Sequence, residues 1–260
     1  MLRPRIIPCL LVQDEGLVKT VRFDNPKYVG DPLNAVRIFN EKEVDEIMVL
    51  DINATVNNTE PNYELIRALA SECRMPLCIG GGVKTIEQIE NLISLGVEKV
   101  AISSAALENP AIIREAANRV GSQSVVVVLD VKKTGILRKY ELFTHNGKKS
   151  TSLRPVEFAK EAESFGAGEI VINSIDCDGV MKGYDRELVK SLRSSLSIPI
   201  TVLGGAGSLD HIIELINDHM IVGAAAGSLF VFKGVYRAVL INYPKPQEKD
   251  DLIRAAMHDS

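Results

Sequence analysis

Asp51, Asp130, Asp176 and Asp178 each stand at or just past the end of an apolar run, in VLDI, VVVVLD and SIDCDG. A carboxylate leaving such a run is partly desolvated, and its pKa rises towards a value useful for proton transfer. Asp130 is the strongest candidate for that chemistry. Asp51 suits loop capping at least as well, and Asp178 fits either role. Two glycine-rich turns, IGGGV (79–83) and LGGAG (203–207), each follow an apolar run and precede a helical pattern. Glycine there lets an anion approach the backbone, and the helix start supplies N–H groups and a positive dipole end. Gly81 and Gly82 pair with Ser103 and Ser104 as one phosphate cradle, and Gly204 and Gly205 pair with Gly227 and Ser228 as a second. Tight turns without a ligand are the plainer alternative. Lys19 lies in the loop after the first run, within reach of a bound anion or facing solvent.

A third group stands at the opposite ends of the runs. Arg5, Glu46, Lys99 and Glu169 each precede an apolar stretch. If the runs are parallel strands, their starts converge, and two cations alternate with two carboxylates in a ring of salt bridges. Such a ring is either a structural plug or a gate to the interior. One position is conspicuous for lacking chemistry: Leu11, at the far end of RIIPCLLV.

The elements that must position these residues are short and regular. RIIPCLLV, EIMVLDI, PLCIG, KVAIS, SVVVVLD, EIVINSI, PITVLG and VGAAA alternate with amphipathic stretches such as TIEQIENLISLG (85–96) and PVEFAKEAESFG (155–166). The helical spacing and terminal glycines predict helices, and the continuously apolar strands predict a parallel sheet covered on its outside. Eight such units predict an α/β fold, a (β/α)8 TIM barrel. Residues 75–107 resemble 198–230, and 44–55 resemble 167–179, at spacings of about 120–124 residues. The barrel is therefore expected to consist of two similar half-barrels. Aligning their first strands sets Leu11 against Asp130, both at the rim where barrel active sites are built. The expected organisation is one domain over 1–243 and a Pro- and charge-rich tail over 244–260.

Composition narrows the class. The chain has 260 residues, 46% of them hydrophobic, and a net charge of −4 without a basic face, so nucleic acid is not an expected partner. Neither a signal peptide nor an apolar span of roughly 18 residues is apparent, so no membrane association is expected and the location expected is cytoplasmic. Cys9, Cys73, Cys78 and Cys177 form no C-x-x-C pair and suit reduced thiols. The four histidines are scattered, so no metal is expected, and no cofactor is implied.

RIIPCL, LVK (17–19), GDP (30–32), VLDI, GGGV, AISSAA, NGKK (146–149), GAGEI, SIDCDG, GYD and GGAG together resemble, in order and spacing over roughly residues 2–243, the cyclase subunit of imidazole glycerol phosphate synthase, a HisF-like barrel. The resemblance implies a glutaminase partner of the HisH type at the barrel bottom and ammonia passing the ring at Arg5, Glu46, Lys99 and Glu169. It implies a substrate with two phosphates at the top, a lyase reaction, and Asp130 and Lys19 as catalytic residues; Asp51, Asp176 and Asp178, from their places at or just past strand ends, are expected at the substrate rim. It also exposes a departure: the family's second catalytic aspartate falls on Leu11, which neither donates, accepts nor carries a proton. Gln13 and Thr20 depart from the family nearby. The opening stretch, leucine included, resembles an offshoot associated with acetamidino-sugar formation in surface polysaccharides such as O-antigen lipopolysaccharide. That resemblance implies ammonia supply for an acetamidino group on a nucleotide sugar, completed by a separate ATP-dependent amidotransferase. The alternatives are the histidine-biosynthesis cyclase itself and a non-catalytic barrel that docks and activates a glutaminase.

Overall fold

In a computed structural model, residues 3–220, 222–234 and 236–258 are described. Eight parallel strands close a barrel: β1 (Arg5–Gln13), β2 (Ile47–Asp51), β3 (Leu77–Gly80), β4 (Lys99–Ile102), β5 (Val125–Thr134), β6 (Glu169–Ser174), β7 (Ile200–Leu203) and β8 (Gly223–Ala226). Each pairs with the next, β8 returns to β1, and β5–β6 pairing completes the circle. These are the eight apolar runs of the sequence, and the fold is the (β/α)8 barrel they predict.

Among the described residues, eight helices cover the outside: α1 (Pro32–Glu41), α2 (Tyr63–Glu72), α3 (Ile86–Ser94), α4 (Ala111–Val120), α5 (Pro155–Ser164), α6 (Arg186–Arg193), α7 (Leu209–His219) and α8 (Pro246–His258). Local chemistry sets their ends. Thr85 and Gln88 form a reciprocal capping box at the start of α3, satisfying two otherwise unpaired N–H groups. Pro32 and Pro155 open α1 and α5, where a missing N–H costs nothing. Between strands and helices lies the main core, including Ile6, Phe39, Leu92, Val127 and Ile170. A smaller core fills the barrel itself, with Ile7, Met48, Cys78, Val126, Val171 and Ala225 among its members. Strand alternation separates the two: odd residues of β1 face inward and even residues outward.

Two antiparallel ribbons at the rim follow the first strand of each half-barrel. Gly16–Val21 pairs with β1 and with Asp24–Gly30, and Lys139–Thr144 pairs with β5. Residues 244–258 contribute α8, which packs against α7. Lys249 there is buried, and its Nζ donates to Asp45 Oδ1 at 2.7 Å and to the Glu43 carbonyl at 3.0 Å. Among the described residues, no helix is long and apolar enough to cross a membrane.

Candidate functional site

The inward-facing residues form successive layers. At the lower end Arg5 contacts Glu46 and donates to Glu169 at 2.7 Å, while Lys99 Nζ donates to Glu46 and to Glu169 at 2.8 Å each. Cations and carboxylates thus alternate around a closed ring, as their positions in the sequence predict. Burial pulls the Arg5 and Lys99 pKa values down, yet Glu169 and Glu46 outweigh it and hold both above their ordinary values. Burial likewise opposes ionisation of Glu169, and Arg5 and Lys99 reverse the sign, holding it below the usual carboxylate range. Thr201 joins the ring by donating its hydroxyl to Glu169 and accepting from Arg5 Nη2 at 3.4 Å. Sequence reading missed Thr201. Its signal is slight: one hydroxyl in the apolar run PITVLG.

Above the ring comes the apolar interior, and above that a cavity of about 430 Å³ opens at the C-terminal ends of the strands. Leu11, Lys19, Asp130, Asn173 and Asp178 line it, together with both glycine turns and their serine companions. Gly81 and Gly205 adopt φ of +108° and +119°, and a Cβ would strike the carbonyls of Asp51 and Gly183 respectively. The glycines therefore permit close backbone packing as well as an open turn. Ser103 Oγ is buried without a hydrogen-bond partner among the described residues, and Ser104 begins the short helix Ser104–Glu108. Ser228 occupies the matching place at the start of Ser228–Val231, after Gly227.

The carboxylates separate by environment. Asp130, at the end of the barrel part of β5, accepts a hydrogen bond from Asn173 Nδ2 at 2.9 Å. Burial pushes its pKa up to about 7, with Asn173 opposing and Asp178 adding to the rise. Asp178 accepts from Thr20 Oγ1 at 2.8 Å and from the Phe23 N–H at 3.2 Å, so it fastens the first ribbon over the cavity. Burial raises its pKa too. Asp51 accepts from the Asn53 and Ala54 N–H groups at 2.9 and 3.0 Å and caps its own loop. Asp176 accepts from the Lys133 N–H at 3.0 Å and lies outside the cavity lining.

Lys19 sits on the first ribbon rather than in an open loop. Its buried Nζ donates to the Cys9 carbonyl at 2.6 Å and lies against Gly227, where a Cβ would approach it to 2.5 Å. Burial lowers its pKa. This amine therefore stands beside Gly227, the companion of the second glycine turn. Among the described residues, no cluster of His, Cys, Asp and Glu is placed to hold a metal.

Register exposes a break in the internal symmetry. Leu11 pairs with Leu50 across β1 and β2, while Asp130 pairs with Asn173 across β5 and β6. The half-barrel alignment equates Leu11 with Asp130 and Leu50 with Asn173. One side of the cavity floor is thus two leucines, and the other a carboxylate bonded to a carboxamide. Sequence reading missed Asn173 as well. Its signal was a lone amide in EIVINSI, on the inward parity and at the level of Asp130.

These features define a class: a barrel of duplicated half-barrels with a charged lower ring and, at the rim, a cavity of mixed polar and apolar lining. The chain belongs to the histidine biosynthesis protein family, whose model matches residues 5–237. It is 58% identical over 252 residues to a Leptospira interrogans protein provisionally named imidazole glycerol phosphate synthase subunit HisF, covering 97% of this chain and 99% of that one. It is 59% identical over 249 residues to a Vibrio vulnificus protein provisionally named subunit hisF3, covering 96% of each. A Pseudomonas aeruginosa protein provisionally named subunit hisF2 is 53% identical over 250 residues, 96% of this chain and 99% of the relative. The chain is accordingly a HisF-like subunit of the imidazole glycerol phosphate synthase kind.

Proposed function

We propose that this chain accepts ammonia from a HisH-type glutaminase docked below the ring of Arg5, Glu46, Lys99 and Glu169, and delivers it to a phosphorylated ligand in the upper cavity. One observation carries the reading: an intact charged ring stands beneath a cavity floor that keeps Asp130 but has Leu11 in the position related to it by the half-barrel repeat. Delivery is retained while half of an acid–base pair is absent. Losing such a partner removes about 10²–10⁴ of a rate, so the acceptor chemistry differs from the cyclase reaction. The acceptor we infer is an acetamido group on a nucleotide-linked sugar, converted to an acetamidino group in surface-polysaccharide formation, with a separate ATP-dependent amidotransferase activating it.

In this reading the turns at Gly81–Gly82 with Ser103–Ser104, and at Gly204–Gly205 with Gly227–Ser228, hold the ligand's phosphates. Lys19 supplies a cation at the second turn. Asp130, with its pKa near neutrality, moves the proton. Asp178 holds the ribbon bearing Lys19, and Asp51 and Asp176 shape the turns of the rim.

A second reading, the histidine-biosynthesis cyclase, is favoured by Asp130, Lys19 and both glycine turns sharing one cavity and by the names of the relatives. Under a third, the barrel does no chemistry and only activates a glutaminase. Adding the purified chain to a HisH-type glutaminase and measuring glutamate release tests what all three share. A rise on addition is expected. Absence of both binding and stimulation rejects the docking role.

A further inference from the structure

Asn173 holds an unused acceptor. The residue is 5% exposed, and its Nδ2 is committed to Asp130 Oδ1. That bond fixes the orientation of the amide, because only the NH₂ end can donate to a carboxylate. Oδ1, the other end of the amide, lies by the turn at Gly204, where a Cβ would come within 3.1 Å of it. There it is buried with no hydrogen-bond partner among the described residues. Buried polar atoms are nearly always satisfied, and one that is not signals a missing water, ion or ligand.

The surroundings define what would satisfy it. The carboxamide oxygen and the ionised carboxylate both accept and cannot donate. Leu11, Leu50, Leu203 and Val128 supply the neighbouring apolar lining. Lys19, the nearby cation, is engaged with the Cys9 carbonyl. Two residues below Asp130 and Asn173 on their strands, Val128 and Val171 belong to the apolar cluster inside the barrel. A small group with at least two hydrogens to donate would satisfy both acceptors once the side chains part to admit it, leaving any lone pair directed into the cavity.

We propose that Asn173 Oδ1 and the Asp130 carboxylate form a two-acceptor seat for ammonia, or ammonium, at the top of the barrel axis. Asn173 is then a positioning residue for the nitrogen nucleophile: one end of its amide orients Asp130 and the other orients the incoming nitrogen. The pseudo-symmetric place is filled by Leu50, which explains why only one side of the floor provides a seat. The inference rests on the reading of the chain as an ammonia-accepting subunit, but its test needs neither the glutaminase nor the final acceptor.

The experiment is ¹³C NMR of the full chain labelled at aspartate Cγ, with the Asp130 resonance assigned by its loss in Asp130→Asn. Ammonium chloride and potassium chloride are titrated separately at constant ionic strength and pH 8. Potassium matches ammonium in charge and nearly in size but donates no hydrogen bond. The expected result is a saturable shift of Asp130 with ammonium and none with potassium. In Asn173→Leu, or Asn173→Ser should the leucine variant misfold, the ammonium midpoint rises at least tenfold. A merely structural Asn173 would not discriminate between the two cations. Equal responses to both salts, or an unchanged midpoint in a folded variant, overturn the proposal. Failure here beside a stimulated glutaminase would remove the seat alone, whereas an intact seat without stimulation would remove the docking role alone.

Discussion

Asp130, the proposed proton-transfer group, has its pKa set by two short-range effects that oppose each other, and burial wins. The Asn173 hydrogen bond favours the carboxylate, but desolvation lifts the pKa from 3.8 to about 7. Between those values the folded protein holds a proton that the unfolded chain has released. Stability contributed by this group is therefore greatest below about pH 4, falls as pH rises through the window and levels off above 7. Asp130→Asn keeps the acceptor for Asn173 and removes the titration. Urea denaturation should find it about 1–2 kcal/mol more stable relative to wild type at pH 8 than at pH 5, after allowance for water at the cavity mouth. A pH-independent difference would mean that Asp130 ionises normally. Its candidacy was legible in the sequence because VVVVLD is apolar up to the carboxylate. The partner that tunes it was not, because Asn173 comes from another strand and meets it only through barrel register.

Among the elements, the lower ring joins β1, β4 and β6 with Glu46, just before β2. Its four charged members were readable from the starts of apolar runs, since parallel strands must gather their starts. Thr201 lay beyond that pattern, and its place depends on the absence of a side chain at Gly223, where a Cβ would strike the hydroxyl. Removing one member leaves a buried charge short of its partner. Lys99→Met should cost about 3 kcal/mol by chemical denaturation, whereas an exposed pair such as Arg37–Glu72 is worth about 1 kcal/mol or less. Glu169 has a lowered pKa, so its contribution is present above the ordinary carboxylate range and is lost as pH falls through the folded value. At the rim, the ribbons were hidden from a reading that sought only alternating strands and helices. Their short polar strands, such as DNPKYVG, lack an apolar run. Asp178 fastens the first ribbon through Thr20 and Phe23. In Asp178→Ala, trypsin should cleave after Arg22 or Lys27 about tenfold faster than in the parent, in keeping with a local loss of protection; an unchanged rate would place the ribbon's stability elsewhere.

At the scale of the molecule, duplication explains both what the halves share and where they differ. Glycine turns, strand starts and helix caps recur because each half must close the same barrel. The floor of the cavity does not have to repeat, and there the first half has become apolar. The final segment completes the outer ring: Tyr243 donates its hydroxyl to the Ile6 carbonyl at 2.9 Å, and Ile253 and Ala256 are buried. Ending the chain after Asn242 should lower the melting temperature by several degrees or yield insoluble protein, since several kcal/mol of burial are lost. An unchanged melting temperature would make residues 243–260 a dispensable tail. That segment was hard to interpret in sequence because its helix, PQEKDDLIRAAMH, has few apolar residues and a weak stripe.

The asymmetry of the floor is tested most directly by turnover of the cyclase's two-phosphate substrate with ammonium salt at high pH, comparing wild type with Leu11→Asp. The account predicts little turnover by wild type and a gain of about 10²-fold or more on restoring the second carboxylate. Wild-type turnover at ordinary enzyme rates, unchanged or reduced by the substitution, would contradict it and return the chain to the histidine-pathway reaction.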